Sequence, residues 1–286
     1  VGESGCGKTT AALSIMRLIP PAVAKTTADK LCLTGKDLLS LKEKEMAKIR
    51  GKEMAMVFQE PLSSLNPVFT IGSQVAETLL IHQGLNKKQA GEKALELLKL
   101  VRFPSPRKNF SDYPHQLSGG MRQRALIAMA LACSPALLIA DEPTTSLDVT
   151  IQAQILDLLA KLQKEMGMAV LIISHNLGII AELAKKVIVM YAGVAVEEAA
   201  VSDLYNEPLH PYTMGLMASM PRLNLETGRL KAIPGSVPDP LKLMPGCRFH
   251  PRCPYASNLC REKEPPLVAA GERKVRCWLY GKEENI

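Results

Sequence analysis

Long apolar runs are missing from these 286 residues. The longest, Ala125 to Ala140, is broken by Ser134 and Pro135 and stops at Asp141. A membrane-spanning helix needs about 20 apolar residues, so none is expected here. Compositional bias is missing too. Charged residues make up 22% and the hydrophobic class 47%, which excludes intrinsic disorder and collagen-like repeats. No internal repeat is visible, and tight C-x2-C pairs are absent although the chain has seven cysteines. An odd count in a chain this long excludes a disulfide-stapled miniprotein and points to a reducing compartment. There, clustered cysteines more often bind metal than pair. At about 150 residues per domain the length suits two domains with a sizeable core.

The charge is uneven. Lys and Arg number 35 against 28 Asp and Glu, a formal net charge of +7. From Pro221 onward there are 12 basic and 7 acidic residues, with nine of the 20 prolines. The tail is therefore a different kind of segment. Its charge suits nucleic acid, a membrane surface, an acidic partner or plain solvation.

Gly2-Glu3-Ser4-Gly5-Cys6-Gly7-Lys8-Thr9 fits G-x-x-x-x-G-K-[ST]. Its glycines allow backbone N–H groups to curl around a phosphate, and a helix opening at Lys8 adds its positive dipole end. Lys8 is expected to reach the β and γ phosphates, and the Thr9 hydroxyl to ligate Mg²⁺. Thr10, the next residue, is grouped with the nucleotide site. Such a loop normally follows a strand. Since the chain opens at Val1, the expectation is that its true N-terminus is missing. Cys6 beside Lys8 is expected to make hydrolysis sensitive to thiol reagents, with ATP protecting.

Leu137 to Ala140 is an apolar run ending in Asp141 and Glu142, which reads as a buried parallel strand with acids at the end where α/β sheets hold ligands. Asp141 is assigned to Mg²⁺ and Glu142 to general-base activation of water. Leu31–Gly35, Met54–Gln59, Ala169–Ser174 and Val187–Tyr191 read as further strands. Thr10–Leu18, Ile71–Ile81, Lys87–Leu100, Met121–Ala132 and Val149–Lys164 read as helices. Strands alternating with helices predict an α/β domain with a mainly parallel sheet.

Leu117 to Arg124, containing Ser118, Gly119 and Gly120, resembles the signature motif of ABC-type ATPases. Gln59 resembles that family's Q-loop glutamine, Ser146-Leu147-Asp148 its D-loop and His175 its switch histidine. All stand in the family's order. The resemblance implies a P-loop ATPase fold over residues 1–204, with a helical subdomain at 59–134. It implies a second anion site at Ser118, Gly119 and Gly120, served to the phosphate loop of a partner ATPase. It places His175 at the γ-phosphate and Gln59 at the nucleotide and Mg²⁺. In that family adenine stacks on an aromatic residue ahead of the phosphate loop, so no residue here is assigned to it. Glu60 to Pro67, with two prolines, is expected to be a flexible loop that passes the nucleotide state to a membrane subunit.

Residues 205–286 form the extension. A Met-rich helix follows Leu209-His210-Pro211-Tyr212-Thr213, then an extended link at Gly235 to Pro240. Cys247, Cys253, Cys260 and Cys277 follow with spacing C-x5-C-x6-C-x16-C. Spacing alone leaves Zn²⁺, an iron–sulfur cluster or unligated thiols open. Arg248, Arg252, Arg261 and Arg276 are expected to offset thiolate charge. His210 to Thr213 and Gly246 to Tyr255 resemble the C-terminal extension of ATP-binding subunits from dipeptide, oligopeptide and nickel ABC importers. That resemblance implies a [4Fe–4S] cluster on the four cysteines, with Zn²⁺ and His250 as the alternative. It also implies ATP and Mg²⁺ as cofactors, a homo- or heterodimer of ATPase subunits and two transmembrane permease subunits. An external solute-binding protein and a peripheral position on the cytoplasmic face of the membrane complete the expectation. The expected function is ATP-driven import of dipeptides or oligopeptides, with nickel or another small solute as the alternative. A soluble ABC ATPase acting on nucleic acid is the rival, supported by the basic tail alone. It is disfavoured by the lack of a coiled-coil insertion or second cassette, so no nucleic-acid partner is expected.

Overall fold

The computed structural model describes residues 1–145, 147–220, 232–239, 242 and 244–281. The chain divides into two compact units, residues 11–173 and residues 1–10 with 174–286.

In the 11–173 unit, Met54–Val57, Leu137–Asp141 and Ala169–Ile173 form a parallel sheet with Leu137–Asp141 in the middle. Leu138, Ile139 and Ala140 are fully buried, as a strand covered on both faces requires. Ile71–Gln83, Lys87–Leu100, Gly119–Leu131 and Val149–Met166 are helices. They bring Val75, Leu79, Leu98, Ile127, Leu131 and Leu158 into one core with Leu138. Their ends are chemically marked. The Thr70 and Asn86 side chains accept from Ser73 and Gln89 N–H groups, while Gly84 and Gly167 close helices at φ 64° and 63°.

Two local expectations are corrected here. The strand expected over Leu31–Gly35 stops at Leu33, and Thr34 (φ 48°) and Gly35 (φ 84°) turn the chain back into Lys36–Asp37. Two left-handed residues between short antiparallel strands make a tight hairpin. The expected loop after Gln59 contains a one-turn helix, Pro61–Ser64. Pro61 occupies the first helical position, where its missing N–H costs nothing. The Ser63 and Ser64 hydroxyls donate to the Glu60 carbonyl.

In the other unit, Lys186–Tyr191, Val194–Ala200, Arg273–Val275 and Val268–Ala270 form an antiparallel sheet in that spatial order. Ala192 (φ 44°) and Gly193 (φ 85°) make its first hairpin. Among the named strands of the described residues, parallel pairing is thus confined to the three-stranded sheet. The helix Pro211–Ala218 starts at His210, whose Nδ1 accepts the Tyr212 N–H. Tyr191, Tyr212 and Phe249 pack ring to ring at 4.6 to 5.5 Å, all fully buried or nearly so. Beside them, the buried Glu197 carboxylate accepts the Leu209 and His210 N–H groups. No helix among the described residues is long and apolar enough to cross a membrane.

Candidate nucleotide site and cysteine cavity

The phosphate loop takes the shape its glycines permit. Gly2, Gly5 and Gly7 have φ of 149°, 78° and 96°. A Cβ at Gly2 would lie 2.1 Å from the Met190 carbonyl oxygen, so the close approach of two backbones requires glycine there. Lys8 opens the helix Lys8–Ile15 and is buried. Its ammonium donates to the Gly2 carbonyl at 2.7 Å and the Glu3 carbonyl at 3.0 Å. The Gly193 N–H donates to the Cys6 carbonyl, tying the loop to the Ala192–Gly193 turn. Gly2, Glu3, Ser4 and His175 line one cavity of about 240 Å³. The phosphate loop and the expected switch histidine therefore share an opening, and His175 itself is exposed. Thr9 and Thr10, also exposed, continue the helix. Cys6 is 1% exposed. The thiol expected to react readily is shielded.

In the other unit, Asp141 ends the middle strand and is buried. Glu142 follows with φ 44°, a left-handed conformation that a residue with a Cβ adopts at a cost, typical of functional turns. Its N–H donates to the Ile173 carbonyl. The Gln59 amide donates to Glu142 Oε2 at 3.2 Å, and the Thr145 hydroxyl donates to the same oxygen at 2.9 Å. Sequence reasoning missed Thr145. Its spacing of three after Glu142 was the available signal. Ser118 caps the helix Gly119–Leu131, its hydroxyl accepting from Met121 N–H. That leaves Gly119 and Gly120 in the first turn, where N–H groups lack intrahelical partners. A Cβ on Gly120 would meet Ile151 Cγ2 at 2.6 Å. Asp148 caps the helix Val149–Met166 through Ile151 N–H. Ser146 of the expected D-loop lies outside the described residues, as does Pro240 of the expected link.

Cys247, Cys253, Cys260 and Cys277 all line one cavity of about 150 Å³, with His250 on its wall. All four are free thiols. The Cys247 N–H donates to the Cys260 carbonyl, which holds two of the loops together. Burial pushes the Cys247 thiol up to about 11 and raises Cys253 and Cys277, with neighbouring thiolates adding to the effect. Among the described residues, no group of three or more His, Cys, Asp or Glu is arranged to hold a metal ion as it stands. Three of the four nearby arginines also have carboxylate partners. Arg248 and Arg276 each pair with Glu264 at 3.7 Å, and Arg252 pairs with Glu3.

Arg252 and Tyr212 are the other residues that sequence reasoning left out of the nucleotide site. Two guanidinium nitrogens of Arg252 donate to the two Glu3 carboxylate oxygens at 2.8 and 3.1 Å. The Glu3 N–H donates to the Tyr212 hydroxyl at 2.8 Å. No local pattern announces contacts across more than 200 residues.

Comparison with known proteins identifies the family. Residues 1–145 match the family model for ABC transporters, and residues 196–260 that for the oligopeptide/dipeptide transporter C-terminal region. A probable peptide ABC transporter ATP-binding protein of Sinorhizobium fredii is 52% identical, over 100% of this chain and 86% of its own length. An oligopeptide transport ATP-binding protein of Bacillus subtilis is 52% identical, over 99% of this chain and 87% of its own. Among solved structures, the dimeric post-hydrolysis state of the ATP-binding cassette MJ0796 bound to ADP and Pi superposes with a TM-score of 0.61. It is 30% identical, covering 70% of this chain and 83% of that one. Matched by the ABC transporter model over residues 1–145 and about half identical to transport ATP-binding proteins over nearly its whole length, the chain belongs to the family of ABC transporter ATP-binding proteins.

Proposed function

We propose that this chain is the ATP-hydrolysing subunit of an importer of dipeptides or oligopeptides. The observation that carries the reading is the end-to-end match to peptide-transport ATP-binding proteins, extension included. Lys8 holds the β and γ phosphates, and Thr9, Asp141 and Gln59 serve Mg²⁺. Glu142 takes a proton from the attacking water, and His175 faces the γ-phosphate. Thr145 and Gln59 orient the Glu142 carboxylate. Ser118, Gly119 and Gly120 present a capped helix start to the nucleotide of a second ATPase subunit. Two such subunits work beneath two membrane permeases on the cytoplasmic side, fed by an external binding protein.

The cysteine cavity is read as the seat of a [4Fe–4S] cluster on Cys247, Cys253, Cys260 and Cys277. The donor set fits, being four thiols on one cavity. Burial first, and the neighbouring thiols after it, raise Cys247, Cys253 and Cys277, so a bound cation would be needed to draw their protons off. A single Zn²⁺ needs its four sulfurs in a tight tetrahedron with bonds of about 2.3 Å. Iron and acid-labile sulfide content against zinc content separates the two. When bound, the group would supply cross-linking of loops too short to build a core of their own.

Two measurements test the reading. ATP-dependent peptide uptake by the assembled transporter should be lost on Lys8→Ala. Retained uptake would refute the ATPase role, and nickel uptake in place of peptide uptake would refute the substrate class. Anaerobic purification should give about four iron and four acid-labile sulfide per chain. A colourless protein with one zinc, or with no metal, would refute the cluster.

A further inference from the structure

We propose that Arg252, in the cysteine segment, is a positioning residue of the nucleotide site, acting through Glu3 of the phosphate loop. The proposal rests on the reading of that loop as a phosphate cradle.

Glu3 occupies an unconstrained position of the motif, yet every polar group of this residue has a partner. Its carboxylate takes the Arg252 fork in two bonds, one to each oxygen, of 2.8 and 3.1 Å. Its N–H is committed to the Tyr212 hydroxyl. Its carbonyl receives the Lys8 ammonium. An unbroken path therefore runs from the Arg252 guanidinium through one residue to the charge that reaches for phosphate.

Arg252 is itself over-determined. Its side chain is 4% exposed. Nε donates to the Pro234 carbonyl at 2.9 Å, and a terminal nitrogen reaches the Ile233 carbonyl at 3.4 Å. The guanidinium carbon lies 5.7 Å from the centre of the Tyr191 ring. Such a cation does not follow Glu3; Glu3 follows it. Bidentate Arg–carboxylate pairs also fix angle as well as distance, which a lysine cannot do.

The consequence lies at Lys8. Its ammonium rests on the Gly2 and Glu3 carbonyls and has to exchange them for phosphate oxygens. A Glu3 held from outside keeps the loop open while Lys8 changes partners. A released Glu3 is free to move with Lys8, and the loop loses its preorganised shape. The cysteine segment is then part of the nucleotide site, through a residue adjacent to Cys253.

The test is ATP binding and steady-state hydrolysis by the full chain carrying Arg252→Gln, Arg252→Lys, Glu3→Gln and the Glu3→Gln/Arg252→Gln pair. Arg252→Gln should weaken ATP binding and raise KM about tenfold, with kcat at saturating ATP within about twofold. Arg252→Lys should recover part of the loss. The double variant should be no weaker than Arg252→Gln alone, since both changes cut one link. Should Arg252→Gln fail to fold, the partly exposed Glu3→Gln carries the same KM-against-kcat test. Affinity within about twofold of the parent in both single variants would overturn the proposal, as would multiplicative losses in the double variant. Parent ATP binding that survives Lys8→Ala would instead remove the phosphate-cradle reading, and the proposal with it.

Discussion

The Gln59 amide donates to the Glu142 carboxylate at 3.2 Å, joining residues 83 positions apart. The Thr145 hydroxyl takes the same oxygen, so the expected general base is oriented from two sides. Glu142→Gln should lower kcat by about 10² to 10⁴ while ATP binding persists. Thr145→Val, which loses one hydrogen bond of ~1 kcal/mol, should lower kcat about threefold to tenfold with KM unchanged. Steady-state hydrolysis separates the two. A Glu142→Gln enzyme at parental rate would displace Glu142 from its role.

Gly120 has no room for a methyl group beside Ile151. Gly120→Ala should cost about 1–3 kcal/mol through overpacking. Denaturant midpoints for Gly120→Ala, Ile151→Ala and the pair should show the double variant more stable than the summed losses predict. Simple additivity would place the cost elsewhere.

His210 links acidity to stability. Burial lowers its pKa from 6.5 to about 4. Between those values the unfolded chain binds a proton that the folded chain refuses, so stability falls as pH falls through the window. The loss should reach roughly 3 kcal/mol at its lower end. His210→Asn keeps a side chain able to cap the Pro211–Ala218 helix but does not titrate. Calorimetric Tm from pH 7 to 4.5 should fall less steeply in that variant than in the parent. Parallel curves would acquit His210.

Gly246 has φ 80°, and a Cβ there would lie 2.4 Å from the Cys260 carbonyl oxygen. That oxygen is the acceptor for Cys247 N–H. If the cysteines hold the proposed cluster, Gly246→Ala should therefore separate two of the cysteine segments and weaken metal retention by about 10- to 100-fold. Metal content after dilution and gel filtration reads the effect. Parental content would show that the cysteines find their ligand without this contact.

Cys32 is exposed while Cys6 is buried. A limiting thiol reagent on the native chain should label Cys32 first and reach Cys6 only on denaturation, as peptide mapping would show. Early labelling of Cys6 would mean that the phosphate loop opens readily.

The local elements and the family were legible in the sequence because their signals are local. The 3.6-residue spacing of Leu and Ala marked the helices at 71 and 87, and the apolar run before Asp141 marked the buried middle strand. The phosphate loop was legible because its glycines and Lys8 lie within eight positions. The short strands Val268–Ala270 and Arg273–Val275 were not read, since three residues carry no periodicity and their pairing with Val194–Ala200 is long-range. The helical turn at Pro61 and the hairpin at Thr34 were misread because loop composition does not fix φ. Only the tertiary structure could decide that Arg252, read as a charge beside thiols, turns to Glu3, 249 positions away. Burial makes that choice. A desolvated guanidinium must take whichever carboxylate the fold delivers, and chain order does not say which one that is.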